Sequence, residues 1–285
     1  MRILLTGADG RLGSQLLQSL TARGHTVVGY DAAQMDITEW DAVRAGFNDT
    51  RPELVIHCAA MTAVDRCAED PDRAYLVNGL GTQSIAQACQ MTSAALVYIS
   101  TNEVFDGRAS RPYLEYDRPN PINPYGWSKW VGEQAIRDLV PRHIIVRTAW
   151  LFAHGGSNFV HAILRAAREG RPLRVVTNEI SSPTYTNDLA EAVAQLVDTG
   201  RFGIYHLVNE GQTSRYGLAR QVLDLAGYRD MPIAPIALAE YPRPSRPPEY
   251  APLRNFAAAR LGIRLRPWTE ALADFIRAEA LEREV

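Results

Sequence analysis

Lysine is almost missing from this 285-residue chain: of its 30 basic residues one is a lysine, Lys129, and the other 29 are arginines. Cysteine is scarce as well. Cys58, Cys67 and Cys89 are odd in number and lack the CxxC or CxxxH spacing of a zinc site, so they read as reduced, mostly buried thiols and imply no structural metal. No segment approaches the roughly 20 consecutive apolar residues that a membrane helix needs, and the apolar start Met1-Arg2-Ile3-Leu4-Leu5-Thr6-Gly7 is too short for a signal peptide. A cytoplasmic protein with no membrane partner is expected. A net charge of -2 gives no field to draw in nucleic acid, which leaves small molecules or other proteins as partners.

What is present is the composition of an ordinary folded protein, 46% hydrophobic and 22% charged. Short β-type runs at residues 2–6, 26–31, 54–58, 95–101, 144–148 and 204–208 alternate with helical patterns at residues 12–23, 74–90, 127–139 and 189–197. That alternation predicts an α/β fold, a Rossmann-type doubly wound parallel sheet with helices on both faces. Proline clusters at residues 112–124 and 232–252 predict loops. Helical patterns at residues 216–226 and 268–282 flank the second cluster without another long β-type run. A dinucleotide-binding domain over residues 1–148, completed by about residues 184–209, is therefore expected. Residues 149–183 and 210–285 would form a smaller, mostly helical substrate lobe over the carboxyl edge of the sheet, where open α/β folds bind ligands.

Gly7-Ala8-Asp9-Gly10-Arg11-Leu12-Gly13 follows the first β-type run directly and leads into a helical pattern. The spacing is GxxGxxG rather than GxGxxG. Each glycine still has a job: Gly7 for the tight turn, Gly10 for backbone approach to a pyrophosphate, Gly13 for close packing of helix on strand. Asp31 ends the next β-type run 18 residues after Gly13, where a carboxylate would accept bonds from the adenosine ribose and repel a 2′-phosphate. NADH is thus the preferred cofactor. Arg11 lies in the turn to offset the repulsion and admit NADPH, and Asp36 is a second carboxylate close by.

In Asn123-Pro124-Tyr125-Gly126-Trp127-Ser128-Lys129, Tyr125 and Lys129 stand four apart on one face of a helix start. Tyr125 is placed to give its phenol proton to a carbonyl. Lys129 is expected to stabilise the resulting phenolate and to pull the phenol from its usual value near 10 toward neutrality. With 12 tyrosines in the chain, one randomly placed lysine would fall four residues after a tyrosine roughly one time in twenty-four, so the sole lysine argues against a chance pairing. Ser100 and Thr101 end the run 95–101, and either hydroxyl could polarise the carbonyl. Neighbouring strand residues point to opposite faces, so one of the two does.

The glycine turn, Ser100-Thr101 and Tyr125 through Lys129 together resemble the extended short-chain dehydrogenases, and the chain is most similar to the dTDP-4-dehydrorhamnose reductase family. The likeness runs through Ala59-Ala60-Met61-Thr62-Ala63-Val64-Asp65, Val104-Phe105-Asp106-Gly107, Arg147-Thr148-Ala149-Trp150, Asn158-Phe159, Pro183-Thr184-Tyr185 to Asp188-Leu189, Arg246-Pro247 and Pro267-Trp268. The resemblance implies reduction of a 4-keto-6-deoxyhexose carried on a nucleotide, with Thr101 polarising the carbonyl, Tyr125 as acid and Lys129 as its partner. Gly10, Arg11, Leu12, Asp36, Ile37, Ala60, Met61 and Thr62 would line the cofactor, with Ala59 in the same segment. Asn102 and Trp150 would face the sugar, with Arg246 in its motif beside them. Where the family has Asp-Tyr after the threonine this chain has Asn102-Glu103, which places Glu103 at the substrate site and bears on sugar identity. Some members bind magnesium through a glutamate two residues after the third glycine; Gln15 stands there, so no metal is expected. A homodimer is among the assemblies the resemblance allows. A sugar-nucleotide epimerase with retained NAD, or a non-catalytic regulatory homologue, are the alternatives.

Overall fold

The computed structural model describes residues 1–155 and 158–281. Chain order begins with β1 (Arg2–Thr6), α1 (Arg11–Ala22), β2 (Thr26–Tyr30), α2 (Trp40–Thr50), β3 (Leu54–His57), α3 (Val64–Glu69), α4 (Pro71–Ala74) and α5 (Thr82–Thr92). It continues through β4 (Ala95–Thr101), α6 (Pro124–Leu139), β5 (His143–Thr148), β6 (Leu151–Phe152), α7 (Phe159–Arg168), β7 (Leu173–Val176), β8 (Ile180–Ser181) and β9 (Thr184–Tyr185). The remainder is α8 (Thr186–Thr199), β10 (Gly203–His206), β11 (Thr213–Ser214), α9 (Arg215–Leu225), β12 (Ile233–Ile236), α10 (Phe256–Arg260) and α11 (Trp268–Leu281).

Six strands pair in parallel in the order β10-β5-β4-β3-β1-β2. The doubly wound α/β sheet expected from the alternation is present. The reason is visible in its strands: β3 is buried along its whole length, and so is β4, as required of central parallel strands covered on both faces. On one face Leu12, Leu16 and Leu20 of α1 pack with Leu189, Val193 and Leu196 of α8. On the other, Val43, Phe47, Ile85, Ala86 and Ile136 come from α2, α5 and α6. Strand order reverses at β1, with β2 on one side and β3 on the other, which makes the carboxyl ends of β1 and β3 the topological switch point where such sheets bind ligands.

The remaining chain carries the helices α7, α9 and α11 of the mostly helical lobe expected, with short strands added between them. Pairs β6-β9, β7-β12 and β8-β11 each form a two-stranded sheet beside α7, α9 and α11. β12 lies inside the proline-rich stretch read as a loop; Pro235 is tolerated because β12 has only one partner strand, β7. The separate apolar cluster here includes Leu164, Leu218, Val222, Leu272 and Phe275. Ala258, Ile263 and Leu265, from the chain expected to build the lobe, pack instead into the cluster beneath the main sheet. Residues 156–157 and 282–285 of that expected lobe, including Glu282 at the end of the last helical pattern, lie outside the described residues.

The helical pattern over 74–90 is also not one regular α-helix. A π-helical segment, Tyr75–Gly81, joins α4 to α5. Such segments cluster at functional sites because the widened turn redirects side chains. Here it carries Asn78, which is fully buried.

Candidate active site

Four of the segments singled out in the sequence follow strands of the main sheet at their carboxyl ends. Gly7 to Gly13 leave β1, Asp31 follows β2, Ala59 to Thr62 follow β3, and Thr101 ends β4. Gly7 takes a φ of 66°, and a Cβ at Gly13 would stand 2.0 Å from the Gly7 carbonyl oxygen, so the turn admits no side chain at either position. Behind it α1 begins with no side-chain cap and no acid in its first turn. Its leading amides and the positive end of its dipole are thus left to an anion, and this uncapped start beside a cradle that a Cβ would fill fits a dinucleotide diphosphate.

Asp31 lies just beyond β2 rather than within it, and its Oδ1 accepts from the amides of Ala33 and Gln34 at 2.9 and 2.8 Å. The carboxylate braces its own turn. Asp36 does the same for Thr38, whose amide and hydroxyl both donate to one oxygen, and this holds the Asp36 carboxyl below its usual range. Ile37 is buried, whereas Arg11 is exposed.

The strand-end hydroxyls divide as the pleat requires. Ser100 Oγ donates to Glu133 at 2.6 Å, and Glu133 also accepts from Arg147 Nε and Nη2 at 2.9 and 2.6 Å in a fully buried ion pair. Ser100 therefore belongs to the packing beneath α6. Thr101 is left on the other face, where its hydroxyl accepts from the Glu103 amide and bonds the Tyr125 phenol.

Helix α6 delivers Tyr125 and Lys129. Asn123 caps it by accepting from the Gly126 amide at 2.8 Å, and Pro124 occupies the first turn, where a missing N–H costs nothing. Gly126 is obligatory: a Cβ there would sit 2.0 Å from the Glu103 carbonyl oxygen, so only glycine lets α6 approach the turn after β4. Ser128 receives a bond from Asn78 Nδ2, and the same Asn78 side chain bonds both the amide and the carbonyl of Met61. One buried amide thus ties the segment after β3 to the helix that carries Lys129.

Lys129 is 3% exposed, and its Nζ stands 4.1 Å from the centroid of the Tyr98 ring. Burial lowers its value to about 7, with Cys58, Glu133 and Cys67 opposing that shift. The expectation that Lys129 lowers the Tyr125 phenol is corrected here. The phenol is raised, first by burial and next by the nearby Glu103, with the Thr101 hydrogen bond working the other way. Tyr125 is a group that keeps its proton firmly. Glu103 itself is pushed up to about 7, chiefly by burial, with Glu179 adding to the shift and Asn123, Arg243 and Arg215 offsetting it.

On the lobe side, Trp150 takes a φ of 43° and the Arg215 guanidinium lies 3.6 Å from its ring centroid. Arg215 is held in turn by buried Glu179 at 3.0 Å. Trp150 is therefore stacked as well as packed. Asn102 is buried, and its amide donates to Ser181 Oγ and the Ala251 carbonyl, so its hydrogen bonds join the turn to the lobe rather than open toward a sugar. Arg246 contributes its carbonyl to Asn123, and its side chain is exposed. Asn78, Asn123, Arg215 and Glu179 escaped the sequence reading. Only Asn123 had a signal, an Asn-Pro pair in front of a helical pattern.

A doubly wound sheet with a glycine turn at its switch point, a strand-end threonine, and a tyrosine and lysine four apart on the next helix defines a protein of the extended short-chain dehydrogenase kind. The chain belongs to the family described as RmlD substrate binding domain, whose model matches residues 1–281. It is 40% identical to a dTDP-4-dehydrorhamnose reductase of Mycolicibacterium smegmatis, over 97% of this chain and 85% of that protein. A crystal structure of a dTDP-4-dehydrorhamnose reductase from Clostridium acetobutylicum superposes with a TM-score of 0.94 at 38% identity, covering 98% of this chain and all of that one (100%). Another, from Bacillus anthracis in complex with NADP, gives a TM-score of 0.93 at 35% identity, covering 97% and 99%. Among the described residues no helix is long and apolar enough to cross a membrane.

Proposed function

We propose that this chain reduces the 4-keto group of a nucleotide-linked 6-deoxyhexose, converting dTDP-4-dehydrorhamnose to dTDP-L-rhamnose in the cytoplasm. What supports this reading is the bond between Thr101 and Tyr125 and the burial of Lys129 one turn further along α6, in a chain whose relatives are named for that reaction. A bound reduced nicotinamide supplies the hydride. Gly7, Gly10, Arg11, Leu12 and Gly13 would hold its diphosphate, Asp31, Asp36 and Ile37 its adenosine end, and Ala59, Ala60, Met61 and Thr62 the stretch between. Tyr125 and Lys129 would meet its nicotinamide end.

Thr101 donates to the ketone oxygen and polarises it. As negative charge gathers on that oxygen, Tyr125 gives up its phenol proton, leaving an alcohol and a phenolate. The phenolate is then the charge that the Lys129 ammonium offsets. The substrate would enter between this edge and the lobe, with Glu103, Trp150, Arg246 and the turn at Asn102 bordering it. NADH is the preferred donor in this reading, because the Asp31 carboxylate at the end of β2 would repel a 2′-phosphate.

The test is oxidation of NADH with a panel of nucleotide 4-keto-6-deoxysugars, followed by product identification and measurement of oligomeric state, a homodimer being one assembly the resemblance allows. The expected product is dTDP-L-rhamnose. Epimerised sugar with no net NADH consumption would replace the reading with an epimerase, and a tenfold higher kcat/KM with NADPH would remove Asp31 from the ribose.

A further inference from the structure

Glu103 stands between two pieces of the site that have no covalent reason to move together, the turn after β4 and the helix α6. Its Oε2 accepts from Asn123 Nδ2 at 2.6 Å, while Asn123 Oδ1 accepts from the Gly126 amide at 2.8 Å. The two ends of a single buried side-chain amide therefore join the Glu103 carboxyl to the first turn of α6. On the backbone side, the Glu103 amide donates to Thr101 Oγ1 at 3.2 Å, and its carbonyl lies against Gly126 with no room for a Cβ between them. Residue 103 thus touches the strand-end hydroxyl, the helix cap and the residue next to Tyr125.

We propose that Glu103 is a positioning residue for Tyr125: through Asn123 it locks the start of α6 to the turn after β4, and so holds the phenol against Thr101. This rests on the reading of Tyr125 as the proton donor. A charge-charge effect accompanies the geometry. Glu103 is the nearby charge that raises the Tyr125 phenol, and since it titrates near 7 it is a carboxylate in the alkaline range where the phenol would begin to fail as an acid. The groups acting on Glu103 are Glu179, Arg243 and Arg215, and Cys67 acts on Tyr125 beside it. An acceptor at position 103 therefore keeps the lock, and a negative charge there keeps the proton on Tyr125.

Glu103→Gln, Glu103→Leu and Asn123→Ser separate these effects. Glutamine keeps an oxygen for Asn123 and loses the charge; leucine loses both; serine at 123 keeps a helix cap but loses the donor to Glu103. Two readouts are needed, the pH profile of kcat with the nucleotide sugar, and hydrogen exchange of the Gly126 amide in the ligand-free protein. In Glu103→Gln, Gly126 exchange should stay at the wild-type rate while the alkaline limit of kcat moves down by roughly half a pH unit or more. In Glu103→Leu, Gly126 exchange should rise about tenfold, the scale of one net hydrogen bond, and kcat should fall with KM little changed. Asn123→Ser should lower kcat similarly, and the double variant should be no worse than the single ones. Changes in KM alone with an unmoved alkaline limit, or Gly126 exchange that ignores position 103, would overturn the proposal. If the wild-type protein turns over none of the sugars, the functional reading fails, and the exchange data still decide whether Glu103 holds the helix.

Discussion

Among the described residues, Arg147 and Lys129 are the only arginine or lysine side chains shut away from water, at 1% and 3% exposure, and both meet α6. Their hydrogen-bonding partners differ. Arg147 is closed in by two hydrogen bonds to Glu133, which also takes the Ser100 hydroxyl, and by the Phe105 ring 5.1 Å away. Lys129, one turn before Glu133 on the same helix, makes no such ion pair; it has the face of Tyr98, with Cys58, Glu133 and Cys67 within electrostatic reach. A buried charge that is fully paired has nothing left to offer, whereas one buried without a close carboxylate can gain by meeting an anion or a phenolate. The same helix thus carries one cation that holds the fold and another held ready for chemistry.

The largest expected effect contrasts the two cations directly. Arg147→Met strands Glu133 in the interior and should cost about 3–5 kcal/mol in a denaturant titration. Lys129→Met replaces a buried charge that has no ion-pair partner with an apolar chain and should cost no stability at neutral pH, yet lower turnover by about 10²-fold or more. Equal losses of stability in the two variants, with turnover intact in Lys129→Met, would erase the distinction.

Tyr125→Phe sharpens the chemical side. It keeps the ring, so cofactor affinity should survive while kcat drops by about 10²-fold or more. Retention of more than half the wild-type rate, measured where chemistry limits turnover, would remove Tyr125 as the proton donor.

The neighbours on β4 repeat the contrast on a smaller scale. Ser100→Ala loses a bond to a buried carboxylate and should cost about 1–3 kcal/mol of stability with kcat nearly unchanged. Thr101→Val should lower kcat about tenfold, the worth of one net hydrogen bond, and, because its hydroxyl also accepts from the Glu103 amide, cost about 1 kcal/mol of stability.

A further contrast lies in the pH dependence of folding. Lys129 is lowered to about 7 in the folded protein and returns to about 10.4 when unfolded, so between those values the unfolded chain binds more protons. The burial penalty is therefore complete below pH 7 and is relieved as pH rises. Relative to Lys129→Met, wild-type stability should be flat below about pH 7 and climb toward pH 10 by up to about 1.4 kcal/mol per unit. A difference that stays level across that range would mean that the lysine keeps its proton in the folded state.

Much of this is legible in the sequence. The β-type runs and helical patterns placed the main sheet within two residues of its observed strands, because burial on both faces and spacing along one element are local properties. The glycine turn and the Tyr125-Lys129 pair were legible for the same reason. Less could be read where the deciding partner is distant. The choice between Ser100 and Thr101 depended on Glu133, 33 residues away, and the role of Asn102 on Ala251, 149 residues away. The strand inside the proline-rich stretch needed β7 beside it.

The sequence by itself determined the elements, the doubly wound sheet and the residue types at its carboxyl edge, since periodicity, turn chemistry and fixed spacings act within a few residues of one another. The tertiary structure alone decided that Ser100 is taken up by Glu133, that the Tyr125 phenol is raised and not lowered, and that Asn123 joins Glu103 to α6. Those outcomes depend on burial and on fields between groups far apart in the chain, and both arise only when the chain has closed around them.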